Sequence, residues 1–191
     1  LAEIPKVDYD RIGERMYVEM IYVNYVDGKD KDKFLALVKK AAATGRTLIL
    51  GCTDVAVAKE ALEIAKAGKP ILNGANAANC DAMNELAKEY GVTLGVCGAD
   101  IDELYDTTAK LEAAGNKNLI LNAGIDSIKK AFATTVQVRR AAIKNNDRTF
   151  GYPMIVNVGR LAAGDDVMQA ALASLFTMKY GSIIVMESMS Y

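Results

Sequence analysis

Short apolar runs alternate with amphipathic segments along almost the whole chain. The runs are rich in Val, Ile and Leu and do not alternate strictly in polarity, which is typical of parallel strands covered on both faces. Seven such runs occupy residues 16–26, 47–50, 70–72, 92–96, 118–121, 153–158 and 182–186. The pattern therefore predicts seven parallel strands.

Between these runs the apolar period changes to that of a helix. Apolar positions in 55–65 are spaced by 3, 4 and 3 residues, and the segment 101–111 repeats that spacing. Asp54 and Asp100 precede these segments and are predicted to cap them. Four glycines are predicted to follow the last helical turns in a left-handed conformation, namely Gly45, Gly68, Gly91 and Gly115.

Seven strands that alternate with six helices predict an α/β fold. Two architectures fit: a (β/α)₈ TIM-barrel-like domain lacking about one unit, or an open doubly wound sheet. A nucleotide-binding doubly wound sheet usually shows GxGxxG after its first strand, whereas here the sequence runs into Asp27-Gly28-Lys29-Asp30. The barrel is therefore favoured, with 1–15 as a leading segment, 16–191 as the barrel domain, and a longer parent chain expected.

Composition and charge narrow the function classes. The net charge is −1 and acidic residues are interspersed with basic ones, which disfavours a nucleic-acid partner. No apolar run approaches the roughly 20 residues of a membrane-spanning helix, so we predict a cytoplasmic protein without a membrane partner. The densest basic stretch is predicted to be a solvated helix face, with a partner site as the alternative; it comprises Lys129, Lys130, Arg139, Arg140, Lys144 and Arg148.

The residues that usually bind metals are scarce. Histidine is absent, which removes His-based triads and His-ligated metals within this chain. Cys52, Cys80 and Cys97 lie 28 and 17 residues apart, a spacing that matches neither CxxC pairs nor an iron-sulfur ligand run. We therefore predict three reduced thiols and no metal site.

Amide side chains recur where the predicted strands end, the edge at which α/β proteins place their working residues. Asn73, Asn122 and Asn157 are expected at strand ends rather than at caps, and Asp54 and Glu187 add carboxylates to the same face. Such a ring suits a flat ring with several hydrogen-bonding groups, such as a pterin, or the amide fringe of a corrinoid. The alternative, that these residues serve turns and caps, stays open. No catalytic residue is predicted.

Three stretches carry a resemblance to a known family: "TLILGCTDVAVAKEALEIAKAGKPILNGANAANCDAMNELAKEYGVTLGV", "NLILNAGID" and "VQVRRAAIKNNDRTFGYPMIVNVG". The most discriminating part runs from Arg139-Arg140 through Asp147-Arg148 to Gly151-Tyr152-Pro153. Together they resemble the barrel domain of the large (gamma) subunit of the corrinoid iron-sulfur protein. That protein belongs to the CO dehydrogenase/acetyl-CoA synthase complex, called acetyl-CoA decarbonylase/synthase in methanogens. The resemblance to the related barrel of the delta subunit is weaker.

The resemblance implies a role in methyl transfer. In that family a methyl group passes from a methyltetrahydropterin to the cobalt of a cobamide and then to acetyl-CoA synthase. The implied cofactors are a cobamide and a 4Fe-4S cluster, held in the full-length family protein by domains other than this barrel. The implied partners are the delta (small) subunit, a pterin-dependent methyltransferase and acetyl-CoA synthase. We expect the barrel to act as a scaffold, without catalysis by itself.

Two alternatives stay open. One is a stand-alone pterin-binding methyltransferase in which Asn73, Asn122 and Asn157 hold the pterin and Asp54 or Glu187 assists protonation. The other is a purely structural or docking barrel with an empty mouth.

Overall fold

A β-hairpin precedes the main sheet. The computed structural model describes residues 1–124, 127–179 and 181–188. Strands β1 (Asp8–Arg11) and β2 (Glu14–Tyr17) pair in antiparallel fashion. Between them Ile12 and Gly13 have φ angles of 52° and 80°, and two consecutive positive φ angles are what a tight two-residue hairpin turn requires.

The hairpin corrects the first predicted strand, 16–26. Residues 16 and 17 belong to the hairpin, and the first strand of the main sheet begins at Met20. Tyr17 counts as apolar in the sequence pattern but is exposed and does not lie in the core. Its ring lies beside the guanidinium groups of Arg15 and Arg46, which are 5.2 and 5.0 Å from the ring centre. Hydrophobic pattern alone cannot distinguish such a ring from a buried one.

The main sheet has seven parallel strands whose spatial order is their chain order. They are β3 (Met20–Asn24), β4 (Thr47–Gly51), β5 (Ile71–Ala75), β6 (Thr93–Val96), β7 (Leu119–Asn122), β8 (Met154–Asn157) and β9 (Ile183–Val185). A doubly wound sheet reverses its strand order at a switch point, and this sheet does not. The predicted (β/α)₈ TIM-barrel-like fold is therefore confirmed.

Helices connect successive strands on the outside of the sheet. They are α1 (Lys31–Ala42), α2 (Val55–Ala65), α3 (Cys80–Tyr90), α4 (Ile101–Ala113), α5 (Ile128–Lys144), α6 (Val158–Ala162) and α7 (Asp166–Lys179). The last connection holds two helices, because the short α6 directly follows β8. None of the helices described is both long and apolar enough to cross a bilayer.

The sheet curls around a small apolar interior. This cluster is formed by Ile49, Ile71, Ile120 and Ile155. Both edge strands contribute to it, β3 through Met20 and Tyr22 and β9 through Ile183 and Val185. The first and last strands therefore share one interior, although they do not pair with each other within the described residues. This is a nearly closed barrel with seven strands.

A larger apolar layer lies between the sheet and the helices. It includes Leu62 of α2, Leu104 of α4 and Phe176 of α7, all at most 1% exposed. Fully burying a side chain of this kind stabilises a protein by about 1.5 to 3 kcal/mol. This layer packs the helices against the sheet whose strand ends carry the candidate site.

Helix starts follow the sequence prediction. The Asp54 carboxylate accepts hydrogen bonds from the backbone N–H groups of Ala56 and Val57 at 2.9 and 3.0 Å. The Asp100 carboxylate accepts one from the Glu103 N–H at 2.9 Å. Both predicted caps are confirmed.

Helix ends follow it with one exception. Gly45, Gly91 and Gly115 have φ angles of 73°, 62° and 83°, as predicted. The prediction for Gly68 is wrong, because Lys69 takes the left-handed conformation there with a φ of 45°. The turn after α2 is a short 3₁₀ segment, and it shifts the left-handed position by one residue.

Candidate functional site at the barrel mouth

Three polar side chains meet inside the barrel near the carboxyl ends of its strands. The Asn73 amide nitrogen donates a hydrogen bond to the Tyr22 hydroxyl at 3.2 Å. The Asn122 amide nitrogen donates one to the Asn73 side-chain oxygen at 3.4 Å. These residues lie on β3, β5 and β7, so they form a hydrogen-bonded chain across the barrel. Alternate strands supply such a layer because inward-facing side chains repeat in that way around a barrel.

Two glycines make room for this layer. A Cβ atom at Gly95 would collide with the Asn73 side chain, and one at Gly51 would collide with the Tyr22 hydroxyl. Gly51, Asn73 and Gly95 are direct neighbours in the register of β4, β5 and β6. With space provided on both flanking strands, Asn73 lies in the interior and is 2% exposed. Its amide is buried but has hydrogen-bond partners on both ends.

The next residue of β5, Gly74, occupies a position that only glycine fits. Its φ of +152° disfavours a side chain, and a Cβ there would collide with the Cys52 carbonyl oxygen. The pairing of β5 with β6 shifts register between Asn73 and Ala75, so Gly74 sits in a β-bulge. The bulge shifts the register just beyond Asn73, and pairing continues between Ala75 and Val96.

The acidity of the groups in this layer follows from burial. Burial raises the pKa of the Tyr22 phenol, an effect partly offset by its hydrogen bond with Asn73 and by the charge of Arg160. Burial also raises the pKa of the Cys97 thiol to about 11, partly offset by a hydrogen bond with Asn122. At neutral pH both groups therefore carry their protons.

The other candidate residues have local structural tasks. Asn157 ends β8 as expected, but its side chain also accepts a hydrogen bond from the Arg160 N–H at 3.0 Å and so caps α6, which corrects the expectation that it serves no cap. Asp54 caps α2, as described above. Glu187 is exposed and follows β9, where its backbone N–H donates to the Gln169 side-chain oxygen at 2.8 Å. Of the five candidates, only Asn73 and Asn122 are hydrogen-bonded to each other.

Asn122 combines both roles. Its side-chain oxygen accepts a hydrogen bond from the Gly124 N–H at 2.9 Å, which holds the turn after β7. Its nitrogen joins the layer through Asn73. One amide hydrogen of Asn122 thus stabilises the interior while its oxygen shapes the loop.

Sequence reasoning missed Tyr22 and Gln169. For Tyr22 a signal existed, since it lies two residues before the end of β3 and shares the inward parity of Met20 and Asn24. That parity was hidden because the predicted strand started four residues too early. Gln169 lies within α7 and reaches the mouth only through the packing of α7 on β9, which no local pattern shows.

The donor set does not fit an iron-sulfur cluster or a metal ion. Within the described ranges no three Cys, Asp, Glu or His side chains are gathered closely enough to bind a metal. Burial raises the pKa of the Cys52 thiol to about 12, so this group is not a ready thiolate ligand either. The iron-sulfur cluster implied by the resemblance therefore has no ligand set among the described residues, and we derive no chemical step through a cluster or a cobamide.

The fold and the mouth define the class of protein: a TIM-barrel-like domain with an internally hydrogen-bonded polar layer at the carboxyl ends of its strands. Solved structures show the same fold. Dihydropteroate synthase from Thermus thermophilus matches at a TM-score of 0.66 and 19% identity, over 90% of this chain and 78% of that one. A truncated 3-deoxy-D-arabino-heptulosonate 7-phosphate synthase from Thermotoga maritima matches at a TM-score of 0.61 and 17% identity, over 88% of this chain and 63% of that one.

The family follows from sequence. Residues 2–191 match the family model described as CO dehydrogenase/acetyl-CoA synthase delta subunit, and the chain belongs to this family. The corrinoid/iron-sulfur protein large subunit of Moorella thermoacetica is 37% identical over 95% of this chain. An acetyl-CoA decarbonylase/synthase complex subunit gamma 2 of Methanosarcina thermophila is 30% identical over 93%. In both cases the chain spans 40% of the relative's length.

The names of these relatives bear on which subunit the chain resembles. The family model has the delta name, whereas the similar curated proteins are large or gamma subunits. The predicted resemblance to the large subunit is confirmed.

Proposed function

We propose that this chain is the barrel domain of a corrinoid iron-sulfur protein large subunit and acts as a scaffold in methyl transfer. In this role it holds the corrinoid-bearing and iron-sulfur parts of the complete polypeptide next to the delta (small) subunit. The methyl group passes from a methyltetrahydropterin through a pterin-dependent methyltransferase to the cobamide cobalt, and then to acetyl-CoA synthase. The barrel itself performs none of these steps.

One observation carries the scaffold role: the polar layer at the mouth is hydrogen-bonded to itself. The Asn73 amide is hydrogen-bonded to Tyr22 and Asn122, and the Asn122 side-chain oxygen accepts a hydrogen bond from the Gly124 N–H. A site for a flat polar ring instead needs buried donors and acceptors that are left open for the ligand. Here the most buried of these amides already has protein partners, which supports a filled and rigid interior.

The fold neighbours favour a second candidate, a pterin-binding barrel. Dihydropteroate synthase has this fold, and its name refers to a pterin product. For this chain the candidate requires Asn73, Asn122 and Asn157 to face a ligand. Asn157 and Asp54 instead cap helices, so a pterin would have to displace caps worth about 1 kcal/mol each.

Pterin binding by the complete polypeptide separates the two candidates. Methyltetrahydrofolate and methyltetrahydrosarcinapterin are titrated by calorimetry onto the wild type, onto Asn122→Ala and onto the control Asn118→Ala, which lies just before the opposite end of β7. The scaffold role predicts no binding by any of them without the methyltransferase. Micromolar binding that is lost only in Asn122→Ala would establish the pterin site instead.

A functional assay tests the scaffold role directly. The complete polypeptide is mixed with its small subunit, methyltransferase and methyltetrahydropterin, and cobalt methylation is followed by visible absorbance. Asn122→Ala should change the methylation rate by less than about threefold, because it removes hydrogen bonds to the Gly124 turn and to Asn73 and not a substrate contact. Failure of the wild type to form a complex with the small subunit would contradict the proposal.

A further inference from the structure

The charges on α5 differ from those on α1 to α4. The helix has no acidic residue, and its exposed basic residues are Lys129, Lys130, Arg139, Arg140 and Lys144. Arg148 follows in the next turn of chain and is also exposed. Helices α1 to α4 each contain both signs of charge. A concentration of one sign on one face is a local positive potential despite the net charge of −1.

The cations in the second half of α5 have no acidic partner in the part of the chain that the structure describes. No ion pair there includes Arg139, Arg140 or Lys144. The acidic residue of α4 that faces this region, Glu112, instead accepts hydrogen bonds from the Thr149 and Tyr152 hydroxyls, at 2.9 and 2.8 Å. Asp147, which follows α5, accepts a hydrogen bond from the Thr149 backbone N–H at 3.0 Å, so both carboxylates are engaged by uncharged donors.

The surface around these cations is concave and partly apolar. A cavity of about 340 Å³ is lined by Arg139 together with Tyr152 and Pro153. A second, open depression of about 250 Å³ runs along α5 itself and is lined by Arg140 and Lys144. Ile143, which lies between these cations in sequence, is 63% exposed. Concave spaces, unpaired cations and an exposed aliphatic side chain thus occupy the last two turns of α5.

This combination fits an acidic protein surface better than a nucleic acid. A protein–protein interface pairs an apolar centre with complementary charges at its rim, and Arg is enriched in such interfaces. A polyanion would gain little from Ile143, and the overall charge of −1 gives no long-range attraction for it. The relatives in methanogens are subunits of a multi-subunit complex, which is the setting in which a protein partner is available.

We propose that the second half of α5, with Arg139, Arg140, Ile143 and Lys144, is the surface on which the barrel docks an acidic, partly apolar face of its small partner subunit. The inference rests on the proposed function, because that function supplies the partner. It adds the location of the interface and the charge of the partner's surface.

Association of the complete polypeptide with its purified small subunit tests the location. Dissociation constants are measured at about 50 and about 500 mM NaCl for the wild type, for Arg139→Glu/Arg140→Glu, and for Arg140→Glu/Lys144→Glu. The matched control is Lys39→Glu/Lys40→Glu, an adjacent pair of exposed cations near the end of α1 with the same charge change. Circular dichroism and the melting temperature verify folding of each variant.

The expected result is specific to α5. Both α5 variants weaken association at low salt by about tenfold or more and lose most of the salt dependence, while the α1 control stays within about twofold of the wild type. Unchanged association in both α5 variants overturns this docking surface but leaves the proposed function intact. Absence of association in the wild type overturns the proposed function itself.

A separate arm addresses the other class of partner. A single-stranded RNA and a duplex DNA of about 30 nucleotides are tested at about 150 mM NaCl. Binding to the wild type that is lost in Arg139→Glu/Arg140→Glu and kept in the α1 control would overturn the protein partner in favour of a nucleic acid. Absence of binding supports the acidic protein surface.

Discussion

The two sides of the barrel arrange their charges differently. On one side, ion pairs join neighbouring helices from α1 to α4. They are Lys31–Glu60 at 3.1 Å, Lys59–Glu89 at 4.0 Å and Lys110–Asp81 at 2.7 Å. On the other side, the charged residues of α5 are all basic, and α7 has no charged residue between its first and last positions. The first side is a balanced solvated surface, and the second side is basic and apolar.

Stability does not explain this difference. Exposed ion pairs contribute about 0 to 1 kcal/mol each, so the first side gains little from them. Like charges four residues apart on a helix cost a few tenths of a kcal/mol, so α5 loses slightly by having only one sign. An arrangement that costs stability on one side only is typical of a surface used for binding.

The comparison requires that both sides be equally well packed beneath their surfaces. Leu62→Ala in α2 and Phe176→Ala in α7 should each lower the free energy of unfolding by about 3 to 5 kcal/mol, because both side chains are fully buried. Native-state hydrogen exchange of the α2 and α7 amides in the complete polypeptide measures both. The control Leu37→Ala, 42% exposed, should cost less than about 1 kcal/mol.

The outcome decides what the exposed apolar surface means. If Leu62→Ala and Phe176→Ala lower the free energy of unfolding equally, the two sides are equally well packed and differ only in their surface charges. A loss below about 1 kcal/mol for Phe176→Ala would mean that α7 is loosely packed, and the basic and apolar side would then be a weak region rather than a binding surface.

The polar layer at the mouth joins the two sides. Asn73 lies on β5, between α2 and α3, and contacts Asn122 on β7, next to α5. Asn73→Ala should lower the free energy of unfolding by about 1 to 3 kcal/mol, because it leaves two partners without their hydrogen bonds. In hydrogen exchange the loss should reach both β3 and β7. A loss confined to β5 would contradict the idea that the layer couples the two sides.

The strand ends were the predictable part of this molecule. Short runs such as 47–50 and 118–121 are rich in β-branched or aliphatic residues and end at Gly or Asn, so periodicity located them within one or two residues. The hairpin at Asp8–Tyr17 was missed because Ile12, Met16 and Tyr17 are exposed, and a short exposed hairpin has no periodic signal of burial.

The contents of the mouth were predictable in type but not in role. The strand-end position of Asn73 indicated that turn chemistry does not require it, and the structure places it in the interior layer. The same argument failed for Asn157, because the sequence does not show that α6 begins directly after β8. Partners far apart in sequence, such as Tyr22 and Asn73, become visible only when the sheet curls.

Each side also has a tyrosine that donates a hydrogen bond to a glutamate, and alkaline pH should weaken both pairs. On the first side Tyr90 donates to Glu63, and on the second Tyr152 donates to Glu112. The hydrogen bond with Glu63 raises the pKa of Tyr90 to about 12, and burial, helped by Glu112, raises that of Tyr152 to about 12. Both values lie above the ordinary 10.0 of tyrosine in an unfolded chain.

The sign of the pH effect follows. The stabilisation from each protonated tyrosine is complete below pH 10 and is lost as the pH rises through about 12, because only the unfolded chain ionises early in that interval. Urea unfolding between these pH values should therefore show falling stability. Tyr152→Phe and Tyr90→Phe should each reduce the slope, with Tyr152→Phe having the larger effect because burial protects its hydrogen bond from solvent screening. Equal slopes in Tyr152→Phe and the wild type would show that Glu112 does not hold this hydroxyl.

The smallest effect tests the comparison most directly. Arg140→Glu replaces a like-charge pair with an opposite-charge pair at four-residue spacing to Lys144, so it should raise the stability of α5 by about 0.5 kcal/mol. Arg140→Gln, which removes the repulsion without adding an attraction, should give about half of that, and about 1 M NaCl should abolish both gains. The measurement is hydrogen exchange of the α5 amides.

A loss of stability in Arg140→Glu would mean that Arg140 has a structural partner and that the basic residues of α5 do not lower the stability of the helix. A gain in stability together with weaker association with the small subunit would separate the two roles, because only a binding function accounts for a charge whose removal benefits the fold.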